Sequence, residues 1–306
     1  MESKTAGKVT LPPISQVCVV AKDMPAVADF YQSAFGWGPF KVGQGASESK
    51  KGDQIYKYKT QVASATLAPV SLEMFTITEG VSPVHSAYLE IGRQGAHHFA
   101  VRASEEEKDK IVAAMAKAGV PVAQDRVGRN LFFDAAKTGG VYLEISYMTT
   151  APAPTPTPIT GQVKLPAITH VGIMVKDIEA VTELYWSAFG WGPWKITTGK
   201  AEAKAEGQTY KYKTKMATAE VAPLTLELFQ VTEGVSPVYS TFLDKGWEGI
   251  HHFAFANSRE QNNQIVAALA KIGVGVVQQS NDSLFLDTAR MGGLYIELIE
   301  QRSGQK

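Results

Sequence analysis

The chain has 306 residues, 30 basic against 30 acidic side chains, no formal net charge and 44 % hydrophobic residues. That length suits two domains, each large enough for its own core, and a neutral chain without a basic block argues against nucleic acid as a partner. No apolar run reaches membrane-spanning length, the start "MESKTAGKVTLPP" has no hydrophobic segment of signal-peptide type, and the single Cys18 cannot form an intrachain disulfide, so a cytoplasmic location is expected.

In chain order, the first element to stand out is "SAFGWGP" at 33–39, because it returns unchanged at 187–193. The same offset of 154 relates "IYKYKTQ" (55–61) to "TYKYKTK" (209–215), and "TEGVSPV" (78–84) to its copy at 232–238. "AHHFAV" (96–101) likewise matches "IHHFAF" (250–255), and "GGVYLEI" (139–145) matches "GGLYIEL" (292–298) with the offset reduced by one. This is a duplication of a whole domain rather than a short-period repeat. Domains are expected at 11–149 and 165–302. Between them "TTAPAPTPTPITGQ" (149–162) alternates Pro and Thr, and a semi-rigid linker is expected over 150–164.

Each half divides again. "ITHVGIMVKD" (168–177) alternates and is rich in β-branched residues, which predicts a strand. Asp177 caps a helix that stops at Gly190, and strands follow around 193–198, 208–220 and 224–232. The cycle restarts with the strand "IHHFAFAN" (250–257), a capping box of Ser258 and Gln261, a helix to Gly273, and the strands "LFLDT" and "LYIELIE". Ser104 and Glu107 form the matching box in the first half. Four strand–helix–strand–strand–strand modules result, at about 14–80, 96–148, 167–234 and 250–300. Helices against one face of curved mixed sheets make an α+β fold.

Five of the six histidines, His97, His98, His170, His251 and His252, fall on first strands of modules; His85 stands elsewhere. Aligning "THVGIM" with "HHFAFA" puts His170 and His252 on one face, with Gly172 and Ala254 leaving room for a ligand. His251 is then expected on the other face with Phe253 and Phe255, as a core or interface histidine, and His97 likewise. Last strands carry a glutamate between apolar neighbours: Glu73, Glu144, Glu227 and Glu297. Such a carboxylate is costly to bury unless paired or metal-bound. Two quartets emerge, His170, Glu227, His252 and Glu297 in the second copy, and Gln16, Glu73, His98 and Glu144 in the first. Imidazoles and carboxylates without thiolates suit Zn²⁺, Co²⁺, Mn²⁺, Ni²⁺ or Fe²⁺.

At these residues the chain resembles the vicinal oxygen chelate superfamily, which includes glyoxalase I, methylmalonyl-CoA epimerase, extradiol dioxygenases and bleomycin-resistance proteins. The resemblance implies βαβββ modules that pair into a cup around one divalent metal, with the two quartets as ligand sets. "GVSPVYSTFLDKGWEGIHHFAF" (234–255), "ARMGGLYIEL" (289–298) and "AKTGGVYLEI" (136–145) are most similar to methylmalonyl-CoA epimerase, except that the epimerase has Gln where this chain has Glu73 and Glu227. It implies an isomerase, epimerase or lyase acting on a carbonyl or acyl-CoA-type small molecule through a metal-stabilised enolate, with Glu297 as base and Glu144 its counterpart. An extradiol-type dioxygenase, with iron on His170, His252 and Glu297, is one alternative. A non-catalytic cup for an aromatic or drug-like ligand is another. Trp37, Trp191 and Trp194 are candidate walls for an apolar substrate, or plugs between sheet and helix. In "YKYKT" (56–60, 210–214), lysines on one face either hold an anion or form a solvated surface. The chain is expected to be a monomer or homodimer, and the second copy, with His170 where the first has Gln16, is expected to bind metal more tightly.

Overall fold

The computed structural model describes residues 10–147 and 160–301, so most of the expected linker lies outside the described residues. The first half runs β1 (Ile14–Val20), α1 (Met24–Phe35), β2 (Lys41–Lys51), β3 (Gln54–Leu67), β4 (Val70–Gly80), α2 (His85–Glu90), β5 (Gly95–Arg102), α3 (Glu105–Lys117), β6 (Val122–Arg126), β7 (Asn130–Phe133) and β8 (Tyr142–Ser146). The second runs β9 (His170–Met174), α4 (Ile178–Leu184), β10 (Lys195–Ala205), β11 (Gln208–Val221), β12 (Leu224–Gly234), α5 (Pro237–Asp244), β13 (Gly249–Asn257), α6 (Arg259–Ala270), β14 (Val276–Gln279), β15 (Ser283–Leu286) and β16 (Tyr295–Glu300). This is the α+β architecture of four modules. The short helices α2 and α5, which bridge consecutive modules, are additions to the expected set.

Local chemistry sets the element ends. Asp177 accepts a hydrogen bond from the Ala180 amide at the start of α4. That helix continues as a π-helical turn over Tyr185–Phe189 and stops where Gly190 turns left-handed, at φ 71°. The boxes Ser104/Glu107 and Ser258/Gln261 both form, each satisfying two amides at a helix start. A cap of this kind is worth about 1 kcal/mol.

The eight strands of each half close into a barrel, in the order β1-β4-β3-β2-β6-β7-β8-β5 and its equivalent. Each module's first and last strands pair in parallel, β1 with β4 and β5 with β8, while the two first strands pair antiparallel across the module junction. The modules around each cup therefore come from the same half of the chain. Closure on the far side is slight: a single bridge, Lys50 to Asp125 or Lys204 to Gln279, joins the long hairpin to the short one.

The helix-facing sides of both barrels share one hydrophobic core. Trp37 packs on Phe253 and Phe255 of the other half, with ring centroids 6.4 and 6.0 Å away, and Trp191 packs on Phe99 at 5.8 Å. The repeated "SAFGWGP" thus locks the halves together. Each buried aromatic there contributes about 1.5–3 kcal/mol.

Candidate metal centre

Four donors meet because of strand pairing. In the second barrel Gly172 lies between Glu227 of β12 and His252 of β13, and Ala254 lies between His170 of β9 and Glu297 of β16. Two parallel pairs joined by one antiparallel pair therefore put all four side chains on the concave face, around the two smallest residues. The absence of a side chain at Gly172 is required: a Cβ there would sit 1.9 Å from the Cε1 and 2.1 Å from the Nε2 of His252.

His170 Nε2 stands 3.5 Å from Glu297 Oε2 and 3.8 Å from Glu227 Oε1, and His252 Nε2 stands 3.3 Å from the same Glu297 oxygen. At these separations both buried Nε2 atoms are left without a close hydrogen-bond partner. Donors sharing one tetrahedral ion, at metal–ligand distances near 2.1 Å, lie about 3.4 Å apart. The donor set therefore fits a divalent ion, with His170, Glu227 and His252 offering atoms all within 4.8 Å of one another. His170 and Glu227 keep 12 % and 18 % of their side-chain surface, against 0 % for His252, so the cup opens on the β9–β12 side.

Electrostatics prepare this cup for a cation. Burial pushes the Glu297 carboxyl up, but His170 and His252 beside it more than offset that and hold it well below the usual carboxylate range. Burial lowers the His170 imidazole, and the two glutamates outweigh burial and raise it. Glu227 is raised by burial first and then by the charge of Glu297. Three like-minded carboxylate–imidazole contacts around one point are what a divalent ion relieves on replacing the proton.

His251 departs from the expected register. A β-bulge between Ile250 and His252 inserts it as an extra residue, so it does not share the face of Phe253 and Phe255. Its Nδ1 lies 3.0 Å from Nδ1 of His252, and its ring stacks on Tyr295 at 4.8 Å. One of the two Nδ1 atoms donates to the other, which fixes the His252 ring and leaves its Nε2 facing Glu297. His97 and His98 repeat the arrangement at 2.9 Å.

The first barrel assembles Gln16, Glu73, His98 and Glu144 by the same pairing, with different surroundings. His98 Nε2 lies 2.9 Å from Glu144 Oε2, and the Asn130 amide donates to the other Glu144 oxygen at 2.7 Å. Burial raises the Glu144 carboxyl, yet His98, Asn130 and Arg126 outweigh it and lower it. Glu73 is pushed up by burial and then by the charge of Glu144. At the position of Gly172 stands Cys18, between Glu73 and His98 in register. Cys18, Asn130 and Arg126 were not among the expected site residues. Cys18 was legible as the residue two after Gln16, on its face, where the other copy has glycine. A further grouping, His85, His97 and His98, is fully buried, and its Nδ1 atoms are committed: those of His97 and His98 to each other, and that of His85 to the Ser82 hydroxyl at 2.9 Å.

The tryptophans are not at this centre. Trp37 and Trp191 lie in the shared core on the opposite face of the sheets, where large aromatic area is best removed from water. Trp194 packs at the edge of that core and donates its indole N–H to the Trp191 carbonyl. The "YKYKT" lysines are a solvated face: Lys57 pairs with Glu48 at 3.6 Å and Lys59 with Glu79 at 2.7 Å, all well exposed, while Tyr58 is buried. Among the described residues, no helix is long and apolar enough to cross a membrane.

No curated protein matches the chain significantly in sequence. Among solved structures, a mutant of 4-hydroxymandelate synthase from Streptomyces coelicolor is similar with a TM-score of 0.61 at 14 % identity, covering 96 % of this chain and 94 % of that one. A 2,2',3-trihydroxybiphenyl 1,2-dioxygenase from Sphingomonas wittichii is similar at 0.50 and 12 %, over 95 % and 91 %. A mutant of homoprotocatechuate 2,3-dioxygenase from Brevibacterium fuscum is similar at 0.50 and 14 %, over 99 % and 76 %. At these identities the likeness establishes the fold. The glyoxalase/bleomycin resistance protein/dioxygenase superfamily pattern matches residues 13–144 and again residues 169–288. The chain therefore belongs to that superfamily, as a tandem member with two complete cups.

Proposed function

We propose that the second barrel is a metal-dependent isomerase, epimerase or lyase for a small molecule with an acidic C–H beside a carbonyl, including acyl-CoA-type thioesters. The observation that carries this reading is the convergence of His170, Glu227, His252 and Glu297 at 3.3–3.8 Å around a point lined by Gly172 and Ala254. A divalent ion held by these four side chains supplies Lewis-acid polarisation of the substrate carbonyl. The protein's own part is proton transfer. Glu297, the last-strand carboxylate beside both histidines, is the group placed to take the proton from carbon and return it to the opposite face or to a neighbouring atom. His251 keeps the His252 ring turned toward the cup, and the aromatic layer of Phe285 and Tyr239 around His252 excludes water from behind.

A second reading, an extradiol-type dioxygenase, has one specific support: His170, His252 and Glu297 form a two-histidine, one-carboxylate set of the kind that holds Fe²⁺. Glu227 speaks against it, since it places a fourth donor where that chemistry keeps a position open. The two readings separate in one experiment. Protein purified without added metal is assayed for metal content, and a panel of acyl-CoA thioesters and hemithioacetals is followed for solvent deuterium incorporation, beside catechols followed for oxygen uptake. Near-stoichiometric metal with chelator-sensitive deuterium incorporation supports the proposal. Oxygen uptake with a catechol replaces it with the dioxygenase. Ligand binding that ignores chelator, with no turnover, makes the cup a binding protein. In the same assay His170→Gln weakens metal binding and turnover, whereas Glu144→Gln leaves turnover unchanged; the reverse result moves the reaction to the first barrel.

A further inference from the structure

The first barrel differs from the second at the point where the donors meet. Where Gly172 leaves a hole that the His252 ring fills, Cys18 supplies a side chain. Cys18 pairs in register with Glu73 on one side and His98 on the other, and its sulfur, a Glu73 oxygen and a His98 nitrogen lie within 4.8 Å of one another. Glu144 closes the set, with Oε2 at 2.9 Å from His98 Nε2. His97 orients His98 through its Nδ1, as His251 orients His252. His98 is 1 % exposed and its Nε2 has no partner of hydrogen-bond geometry. The sulfur of Cys18, which is wholly buried, faces the Glu73 carboxylate and has a distant contact with the Val19 carbonyl, at 3.9 Å.

We propose that the first barrel is a thiolate-containing metal site, with Cys18, Glu73, His98 and Glu144 as four protein ligands to Zn²⁺. The proposal extends the metal reading of the second barrel and rests on it for the choice of ligand class. The argument from chemistry is direct. One sulfur, one imidazole nitrogen and two carboxylates make a four-coordinate set of the types that zinc takes, and a thiolate selects zinc over the harder ions that an all-oxygen-and-nitrogen cup accepts. Cys18, His98 and Glu144 are 0, 1 and 6 % exposed, so the sulfur, the imidazole and one carboxylate are withdrawn from water, while Glu73 and Gln16 are half-buried like Glu227 and His170 in the other cup. Binding Zn²⁺ displaces the thiol proton to water. Gln16, the nominal counterpart of His170, is then not a ligand.

Cobalt substitution tests this without any assay of activity. Cys18 is the chain's single cysteine, so a sulfur-to-cobalt charge-transfer band can have no other protein source. Metal-free full-length chain is titrated with Co²⁺ and then with Zn²⁺. The expected result is visible-region cobalt bands from both barrels and a near-ultraviolet charge-transfer band growing with one equivalent and bleached by Zn²⁺. Cys18→Ser abolishes that band alone, and His98→Ala and Glu73→Gln each reduce it, with fold checked by circular dichroism. Visible cobalt bands with no charge-transfer band would overturn the thiolate site while leaving the second barrel's metal intact. Charge transfer unaffected by both His98→Ala and Glu73→Gln would place the sulfur in a different site and overturn the ligand set. No cobalt bound at all would remove the metal from both barrels.

Discussion

The two barrels share strand order, register, bulge and capping, and part company at a handful of interior positions. The second has glycine at its centre and an imidazole at the rim, His170; the first has cysteine at its centre and an amide at the rim, Gln16. Around the second-barrel carboxylate Glu297 stand two histidines. Around its first-barrel equivalent Glu144 stand one histidine, the Asn130 amide and the charge of Arg126. One scaffold thus presents a cup whose charges await a cation, and a second whose carboxylate is already hydrogen-bonded to the Asn130 amide. The duplicated backbone carries the pairing geometry, and the choice of one small or one sulfur-bearing side chain decides what that geometry can hold.

The largest effect expected is at the base. Glu297→Gln keeps the shape of the side chain and removes its basicity, and should cut turnover by about 10²–10⁴-fold, while Glu144→Gln leaves it unchanged. Near-native turnover of a well-folded Glu297→Gln chain, measured as deuterium incorporation, would end the role assigned to Glu297. Next comes the hole under His252. Gly172→Ala places a methyl 1.9 Å from the ring, so the ring must move; the second barrel should lose metal affinity by about 100-fold or more and the chain about 1–3 kcal/mol of stability. Isothermal titration and denaturant melts would show it, and unchanged affinity would mean that His252 is not a ligand.

His251→Ala should be milder. It deletes the Nδ1 partner of His252 rather than a ligand, a loss of about 10–100-fold in metal affinity, read at equal folded fraction. An effect equal to that of His252→Ala would show that both rings ligate directly. The smallest effect expected separates the cups by pH in metal-free protein. Glu73 is raised from 4.5 to about 8 in the folded chain, so its contribution to stability is complete below 4.5 and is lost as pH rises toward 8. Glu297 is depressed, so its contribution is present above 4.5 and is lost as pH falls below that. Glu73→Gln should therefore flatten the decline of melting temperature between pH 4.5 and 8 by a few degrees, leaving the acid limb alone. Parallel melting curves across that range would show that Glu73 is not buried as a neutral acid.

How much was legible beforehand follows from which interactions are local. Capping at Ser104, Asp177 and Ser258 depends on residues three apart, and the strand character of "ITHVGIMVKD" on alternation, so both could be read from neighbours in the chain. The quartets were readable because a duplication supplies its own alignment, and period-2 alternation assigns a face. The position of His251 was not, since one inserted residue breaks the alternation at that point, and a bulge carries no marker in "GIHHFAF". The tryptophans were ambiguous for another reason: an aromatic at a helix end fits either a cup or a core, and only the second half of the chain, packing Phe253 and Phe255 on Trp37, settles it.

The chain's sequence by itself therefore determined the repeat, the four modules, the α+β class and the eight side chains at matched positions, all of them set by local periodicity and self-similarity. Tertiary structure alone decided which modules share a cup, that the His251 and His97 bulges turn those rings toward the ligands, and that Cys18 stands between Glu73 and His98. Those outcomes depend on hydrogen bonds between strands 55 to 87 residues apart in the chain, where spacing along the sequence says nothing about distance in space.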